Sequence, residues 1–82
     1  MRRKLGEIIK GIKKKYTPLT IEYRTWAQDK SDILAGYCKY ENGKLISLDG
    51  DNYSLNDEIA DYEFMITDDG KPLLTVWYES EF

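Results

Sequence analysis

The side chains that most often carry catalysis are scarce in this chain. None of its 82 residues is a histidine, which removes the commonest general base, the Ser-His-Asp arrangement and every imidazole metal ligand. The one cysteine, Cys38, falls in mid-strand with no imidazole to activate it, and it reads as a small packed side chain rather than a nucleophile. Asp49-Gly50-Asp51-Asn52 opens like a calcium loop. Tyr53 and Ala60 then stand at the fifth and twelfth positions, where that loop needs an oxygen ligand and a bidentate glutamate, so a polar turn is the expectation. Glycine-rich phosphate motifs are lacking too. The expectation is a protein that is not an enzyme, with no cofactor and no metal.

What remains is the chemistry of binding, and charge carries it. Residues 1 to 40 hold ten Lys or Arg against four Asp or Glu, a balance of +6, while residues 41 to 82 hold two against eleven, a balance of -9. The net charge of -3 conceals this polarity, which bears on association and steering rather than on fold. In the acidic half, Asp57, Glu58, Asp61, Asp68 and Asp69 are the candidate steering charges, and Tyr53 or Trp77 the candidate anchor. Carboxylates spaced along a sheet can imitate a phosphate backbone and occupy a basic groove on a partner, while a buried aromatic supplies affinity. In the basic half, Arg2, Arg3, Lys10, Lys13, Lys14 and Lys15 form a positive face that could meet nucleic acid or an anionic membrane surface. Solvated helix faces are also commonly rich in lysine, and lysines near a helix C-terminus complement its dipole. A protein partner with a basic surface is the first expectation, and nucleic acid the second.

The elements that must position these groups follow from periodicity. Leu5, Ile8, Ile9 and Ile12 fall at i, i+3, i+4 and i+7, predicting an amphipathic helix over Arg3 to Lys15 that Thr17-Pro18 terminates. Gly6 and Gly11 flank its stripe and would let it approach a sheet closely. Leu19, Ile21 and Tyr23 alternate with Thr20, Glu22 and Arg24 over Leu19 to Trp26, the period of a half-buried strand. Asn42-Gly43 marks a two-residue type I′ hairpin that pairs Glu41 with Lys44, Tyr40 with Leu45, Lys39 with Ile46 and Cys38 with Ser47. Ser54 to Asp57 is read as capping a short helical turn. A second hairpin, Tyr62 to Thr67 and Leu73 to Glu79, is read with a five-residue loop that puts Phe64 and Ile66 beside Leu74 and Val76. Its core face would be Tyr62, Phe64, Ile66, Leu74, Val76 and Tyr78.

Together these elements predict an α+β fold: one N-terminal helix across one face of an antiparallel sheet of about five strands, built from two β-hairpins. Leu5, Ile8, Ile9 and Ile12 would be buried against Ile21, Tyr37, Ile46, Phe64, Ile66, Leu74 and Val76. At this length a single domain, 1–82, is expected. No stretch is long and apolar enough for a membrane span, and no signal-peptide run follows Arg2-Arg3-Lys4, so a cytoplasmic location is expected.

Gly50-Asp51-Asn52-Tyr53-Ser54-Leu55-Asn56-Asp57-Glu58, followed by Leu74-Thr75-Val76-Trp77-Tyr78, resembles segments of short uncharacterised proteins found in prophages and other mobile elements of Gram-positive bacteria. That class is similar in size and charge to anti-CRISPR and other anti-defence inhibitors, which block a host enzyme by occupying its surface. The resemblance implies a protein-binding inhibitor acting in the cytoplasm of a host bacterial cell, or a structural phage protein. It carries over no site residues.

Overall fold

A computed structural model describes residues 3–26, 32–50 and 52–78. The elements are β1 (Arg3–Lys4), α1 (Leu5–Lys10), a 3-10 turn (Lys14–Tyr16), β2 (Leu19–Trp26), β3 (Asp32–Glu41), β4 (Lys44–Ser47), β5 (Glu58–Ile59), β6 (Asp61–Ile66) and β7 (Pro72–Tyr78). The fold is α+β. One sheet has five strands in the order β4-β3-β2-β7-β6, and β1 pairs with β5 in a separate two-stranded piece. All pairs are antiparallel except the central one, β2 with β7, which is parallel.

The alternation of β2 is realised along its whole length, with Leu19, Ile21, Tyr23 and Thr25 buried and the residues between them half-buried. Leu5, Ile8 and Ile9 of α1 join Leu19, Ile21, Tyr23, Cys38, Ile59, Leu74 and Val76 in one core. The Asn42-Gly43 hairpin has the expected register, with φ of 53° at Asn42 and 78° at Gly43 as a type I′ loop requires.

The helix is shorter than its apolar stripe predicts. Arg3 and Lys4 are extended and pair with Ile59 and Glu58, and α1 stops after Lys10 with Gly11 as its C-cap. Glycine carries the lowest helix propensity after proline, and a six-residue helix persists only with tertiary support. That support is visible at its start, where the N–H groups of Leu5 and Gly6 donate to the carbonyls of Asp57 and Leu55 at 2.9 and 2.8 Å, satisfying donors that a helix N-terminus leaves unpaired. A Cβ on Gly6 would stand 3.2 Å from the Leu55 carbonyl oxygen, so the close approach is to this turn and not to the sheet. Ile12 is half-buried against the core.

The first hairpin turns the opposite face inward from the one expected. Cys38 is fully buried and Tyr40 and Leu45 pack on the core, while Tyr37 and Ile46 are exposed. Its neighbour decides this, because Ile21 pairs with Cys38 and the two must share a face. A β-bulge between Tyr23 and Arg24, which pair with Gly36 and Leu34, leaves Ala35 as the extra residue, and it too packs on the core.

The second hairpin is shifted by two residues from the expected register. Phe64 pairs with Leu74, Tyr62 with Val76 and Ile66 with Pro72, and a three-residue loop, Asp68-Asp69-Gly70, is closed by Thr67 N–H to Lys71 C=O at 2.8 Å. Gly70 takes the positive φ, 82°, that such a loop needs at its last position. With Thr67 and Lys71 forming the hydrogen-bonded pair, Pro72 falls at a narrow pair that asks no N–H of it toward β6. A shift by two preserves the faces, so Leu74 and Val76 are buried as expected, but Tyr62 and Ile66 on the edge strand are exposed. Ser54 to Asp57 forms a turn, with Asp57 N–H donating to Ser54 C=O at 3.0 Å, and no helix follows because Glu58 and Ile59 are committed to β5.

Candidate functional site

The parallel β2–β7 pair gives the molecule two chemically different ends. Both strands begin beside the lysine-rich turn and finish beside the segment 52–58. At the finishing end, the part of the core-side face beyond α1 is covered by Tyr53, whose ring lies 4.5 Å from Tyr23 at 48°, with Tyr78 a further 6.0 Å from Tyr23 at 57°. These rings, with Ala35, Asn52, Asp57 and Glu58, line a cleft of about 430 Å3. Ala35 reaches it because of the bulge.

The polar groups around the cleft are held in place. Tyr23 Oη donates to Asp57 Oδ2 at 3.1 Å, and the Ser54 N–H donates to the same oxygen at 3.0 Å. Burial first, and the adjacent Asp57 charge second, raise the Tyr23 pKa far above the ordinary phenol range, so the hydroxyl remains a neutral donor. Tyr53 Oη donates to Asp49 Oδ2 at 2.6 Å, which also accepts the Tyr37 N–H at 2.9 Å. Ser47 Oγ binds Asp49 Oδ1 at 3.2 Å. The Asp49 carboxylate thus ties Ser47 and Tyr53 to β3. This is possible only because position 36 is glycine: a Cβ there would collide with both Asp49 Oδ2 and the Tyr53 hydroxyl.

Cys38 lies under this region, fully buried. Desolvation, reinforced by Asp49 and Asp57, pushes its pKa up to about 12, and a protonated, inaccessible thiol is no nucleophile. Among the described residues no group of three or more cysteine and acidic side chains is arranged to hold a metal ion.

The acidic residues singled out in the sequence do not form one patch. Asp57 and Glu58 meet Tyr53 at the cleft. Asp61 opens β6 opposite Trp77, on the open side of the sheet rather than in the cleft; it is exposed, its Oδ1 accepting the Tyr62 N–H at 2.8 Å. Asp68 and Asp69 sit in the hairpin loop at the far end of β6, roughly 20 Å away at about 3.4 Å per strand residue. There Asp69 accepts from the Thr67 hydroxyl, the main cause of its lowered pKa, and lies 3.8 Å from Lys71 Nζ. The two candidate anchors also part company. Tyr53 is on the helix side of the sheet, whereas Trp77 is on the open side, stacked on Trp26 with centroids 6.3 Å apart and planes within 14°.

The open face carries its own polar ladder. Glu22 accepts from the Tyr37 hydroxyl at 3.1 Å, pairs with Arg24 at 3.3 Å and receives a long contact of 3.5 Å from Thr75 Oγ1. The Glu22 hydrogen bond is the main reason the Tyr37 pKa is raised.

The basic candidates fall at the other end. Arg3 belongs to β1, Lys10 ends α1, and Lys13, Lys14 and Lys15 lie exposed in and beside the 3-10 turn, with Lys15 Nζ 5.1 Å from the Tyr16 ring centroid. Among the described residues these cations form no continuous helical face, because α1 ends at Lys10. Arg2, like Asp51, Glu79, Glu81 and Phe82, lies outside the described residues. Lys15, Lys39 and Lys71 share a second cleft of about 420 Å3, where Lys39 pairs with Glu41 at 2.7 Å. Among the described residues no helix is long and apolar enough to cross a membrane.

Tyr23 is legible from sequence only as a core residue, and Tyr78 as a core-face residue that also belongs to the aromatic, acidic half. The signal that could have marked Tyr23 is its hydroxyl, since a core-facing position in a central strand that uses Tyr needs a polar partner at the ring's tip. Compared with protein-family models, curated proteins and solved structures, the chain matches none of them.

Proposed function

We propose that this is a non-enzymatic binding protein whose acidic, tyrosine-rich end engages a basic surface on a partner protein. The observation that carries the reading is the convergence of Tyr23, Tyr53 and Tyr78 with Asp57 and Glu58 around one cleft. Aromatic anchors beside fixed charge are what a binding hot spot uses, with the charge accelerating encounter and selecting the partner. Supporting a non-catalytic role, the chain has no histidine and its one thiol is buried and protonated. The resemblance to short mobile-element proteins extends the proposal to inhibition of a host defence enzyme inside a bacterial cell. Of the earlier candidates, Glu58 serves as the steering charge at the cleft and Tyr53 as anchor, with Asp57 fixed between fold and site; Asp61, opposite Trp77 on the open side of the sheet, adds to the negative field at this end without lining the cleft. Asp68, Asp69 and Trp77 lie elsewhere and are not part of this surface.

The test is capture from a bacterial lysate by the wild-type chain and by two charge-reversed variants. Glu58→Lys with Asp61→Lys should lose the specific partner, and Lys13→Glu with Lys14→Glu and Lys15→Glu should keep it. The reverse pattern, together with a mobility shift of duplex DNA that weakens steeply with salt, would transfer function to the lysine end and to nucleic acid.

A further inference from the structure

We infer that the tyrosine-walled cleft is a receptor for the guanidinium group of an arginine side chain presented by the partner; the inference rests on the binding role proposed above and names the group that fills the site. Tyr23, 4% exposed, forms the floor, and the half-buried Tyr53 and Tyr78, tilted at 48° and 57° to it, supply the ring surface open to a ligand. A cation within about 6 Å of a ring centroid is drawn to the negative face of the π system. The carboxylates of Asp57 and Glu58 on the same walls repel phosphate and carboxylate ligands and favour a positive one. Asp57 is oriented in advance, because Oδ2 takes both of its hydrogen bonds, from Tyr23 and Ser54. Its other oxygen is left facing no donor among the described residues.

Arginine suits these walls better than lysine. Its head is planar, weakly hydrated, able to lie flat on a phenol ring while its edge donates to a carboxylate, whereas an ammonium holds its water tightly. A volume of about 430 Å3 is of the size of small-ligand sites, which run from ~300 to 1,000 Å3. The small side chain of Ala35, swung in by the bulge, keeps the space open for the aliphatic stem.

The experiment is an NMR titration of the full chain with capped arginine (N-acetyl, N-methylamide), its citrulline and lysine counterparts, and free arginine. The capped arginine should shift the ring signals of Tyr23, Tyr53 and Tyr78 saturably. The citrulline probe, which keeps the shape and loses the charge, should bind about tenfold more weakly, in line with the worth of a partly desolvated cation–π contact, and lysine should fall between. Glu58→Gln, which keeps the side-chain shape and leaves the Asp57 hydrogen bonds intact, should weaken arginine binding. Equal binding of citrulline and arginine would overturn the inference. So would tight binding of free arginine with none of the capped form, which would make the ligand a free amino acid rather than a protein side chain. Should no arginine probe bind while Glu58 and Asp61 still govern partner capture, this inference falls and the binding role stands. If partner capture is also indifferent to those charges, both fall.

Discussion

Replacing Gly36 by alanine tests how the loop bearing Tyr53 is fastened. The new methyl group would occupy the space of Asp49 Oδ2 and the Tyr53 hydroxyl, so the carboxylate must leave. It then gives up the Tyr37 N–H at 2.9 Å and the Tyr53 hydroxyl at 2.6 Å. Each such bond is worth about 1 kcal/mol net where the freed groups can reach water. The Tyr53 ring would also slide from its 4.5 Å contact with Tyr23, an interaction of about 0.5–1.5 kcal/mol. The sum is roughly 2–4 kcal/mol, and at about 4–8 °C per kcal/mol for a domain of this size the melting temperature should fall by roughly 10–25 °C. Gly11→Ala is the control, because a Cβ there meets only the Ile8 carbonyl oxygen at 3.5 Å; it should be neutral or mildly stabilising. Asp49→Ala in the Gly36→Ala background should recover part of the loss, a non-additivity that marks residues in contact. Calorimetric melts of wild type, Gly36→Ala, Gly11→Ala, Asp49→Ala and the double variant measure all of this. A Gly36→Ala protein melting within about 2 °C of wild type, a few tenths of a kcal/mol, would refute the Asp49 clasp and with it the placement of Tyr53.

Ile9→Ala, which empties a site 7% exposed beneath α1, should cost about 2–4 kcal/mol in denaturant unfolding, and no loss would mean that α1 is not docked on the sheet. The Cys38 thiol ionises near 9.0 when unfolded but near 12 in the fold; the unfolded chain therefore releases this proton first, and stability should decline as pH rises across that window, with Tyr23 adding to the fall above pH 10. A stability that is flat from pH 9 to 12 would contradict the burial of both groups. The chain has two tryptophans, stacked with centroids 6.3 Å apart, so Trp77→Ala should uncover one face of Trp26 and raise the quenching of its fluorescence by acrylamide; quenching of Trp26 unchanged by the substitution would separate the two rings.

Local signals were read well from sequence where one short stretch decides the outcome. Asn42-Gly43 specifies its turn and hence its register, and the Leu19–Ile21–Tyr23 alternation specifies a central strand. The rest depended on contacts between distant segments. Tyr37 and Ile46 look as apolar as a core face should, yet Ile21 pairs with Cys38, and the narrow space beneath Asp49 and Tyr53 admits only Gly36 and small neighbours, so the larger residues turn outward. The stripe through Ile12 predicts a longer helix than exists, because Arg3 and Lys4 gain a strand partner at Glu58 and Ile59 that only the folded chain supplies. The acidic half read as one surface because sequence distance hides the roughly 20 Å length of β6, which carries Asp68 and Asp69 to the lysine end. Tyr53, Asp57 and Glu58 were legible as candidates, while Tyr23 and Tyr78 join them only through the parallel β2–β7 pairing, which no local pattern announces.

Docking at the acidic, tyrosine-lined end is tested by the association rate of the captured partner, measured by stopped flow over a range of salt for the wild-type chain and for Glu58→Lys with Asp61→Lys. Steering by opposite charge raises on-rates by about 10–1000-fold and decays with ionic strength. The variant should therefore associate about tenfold more slowly at low salt, with a flattened salt dependence, while the fold survives. Identical rates and salt slopes in the two proteins would contradict the claim that the acidic, tyrosine-lined end is where the partner docks.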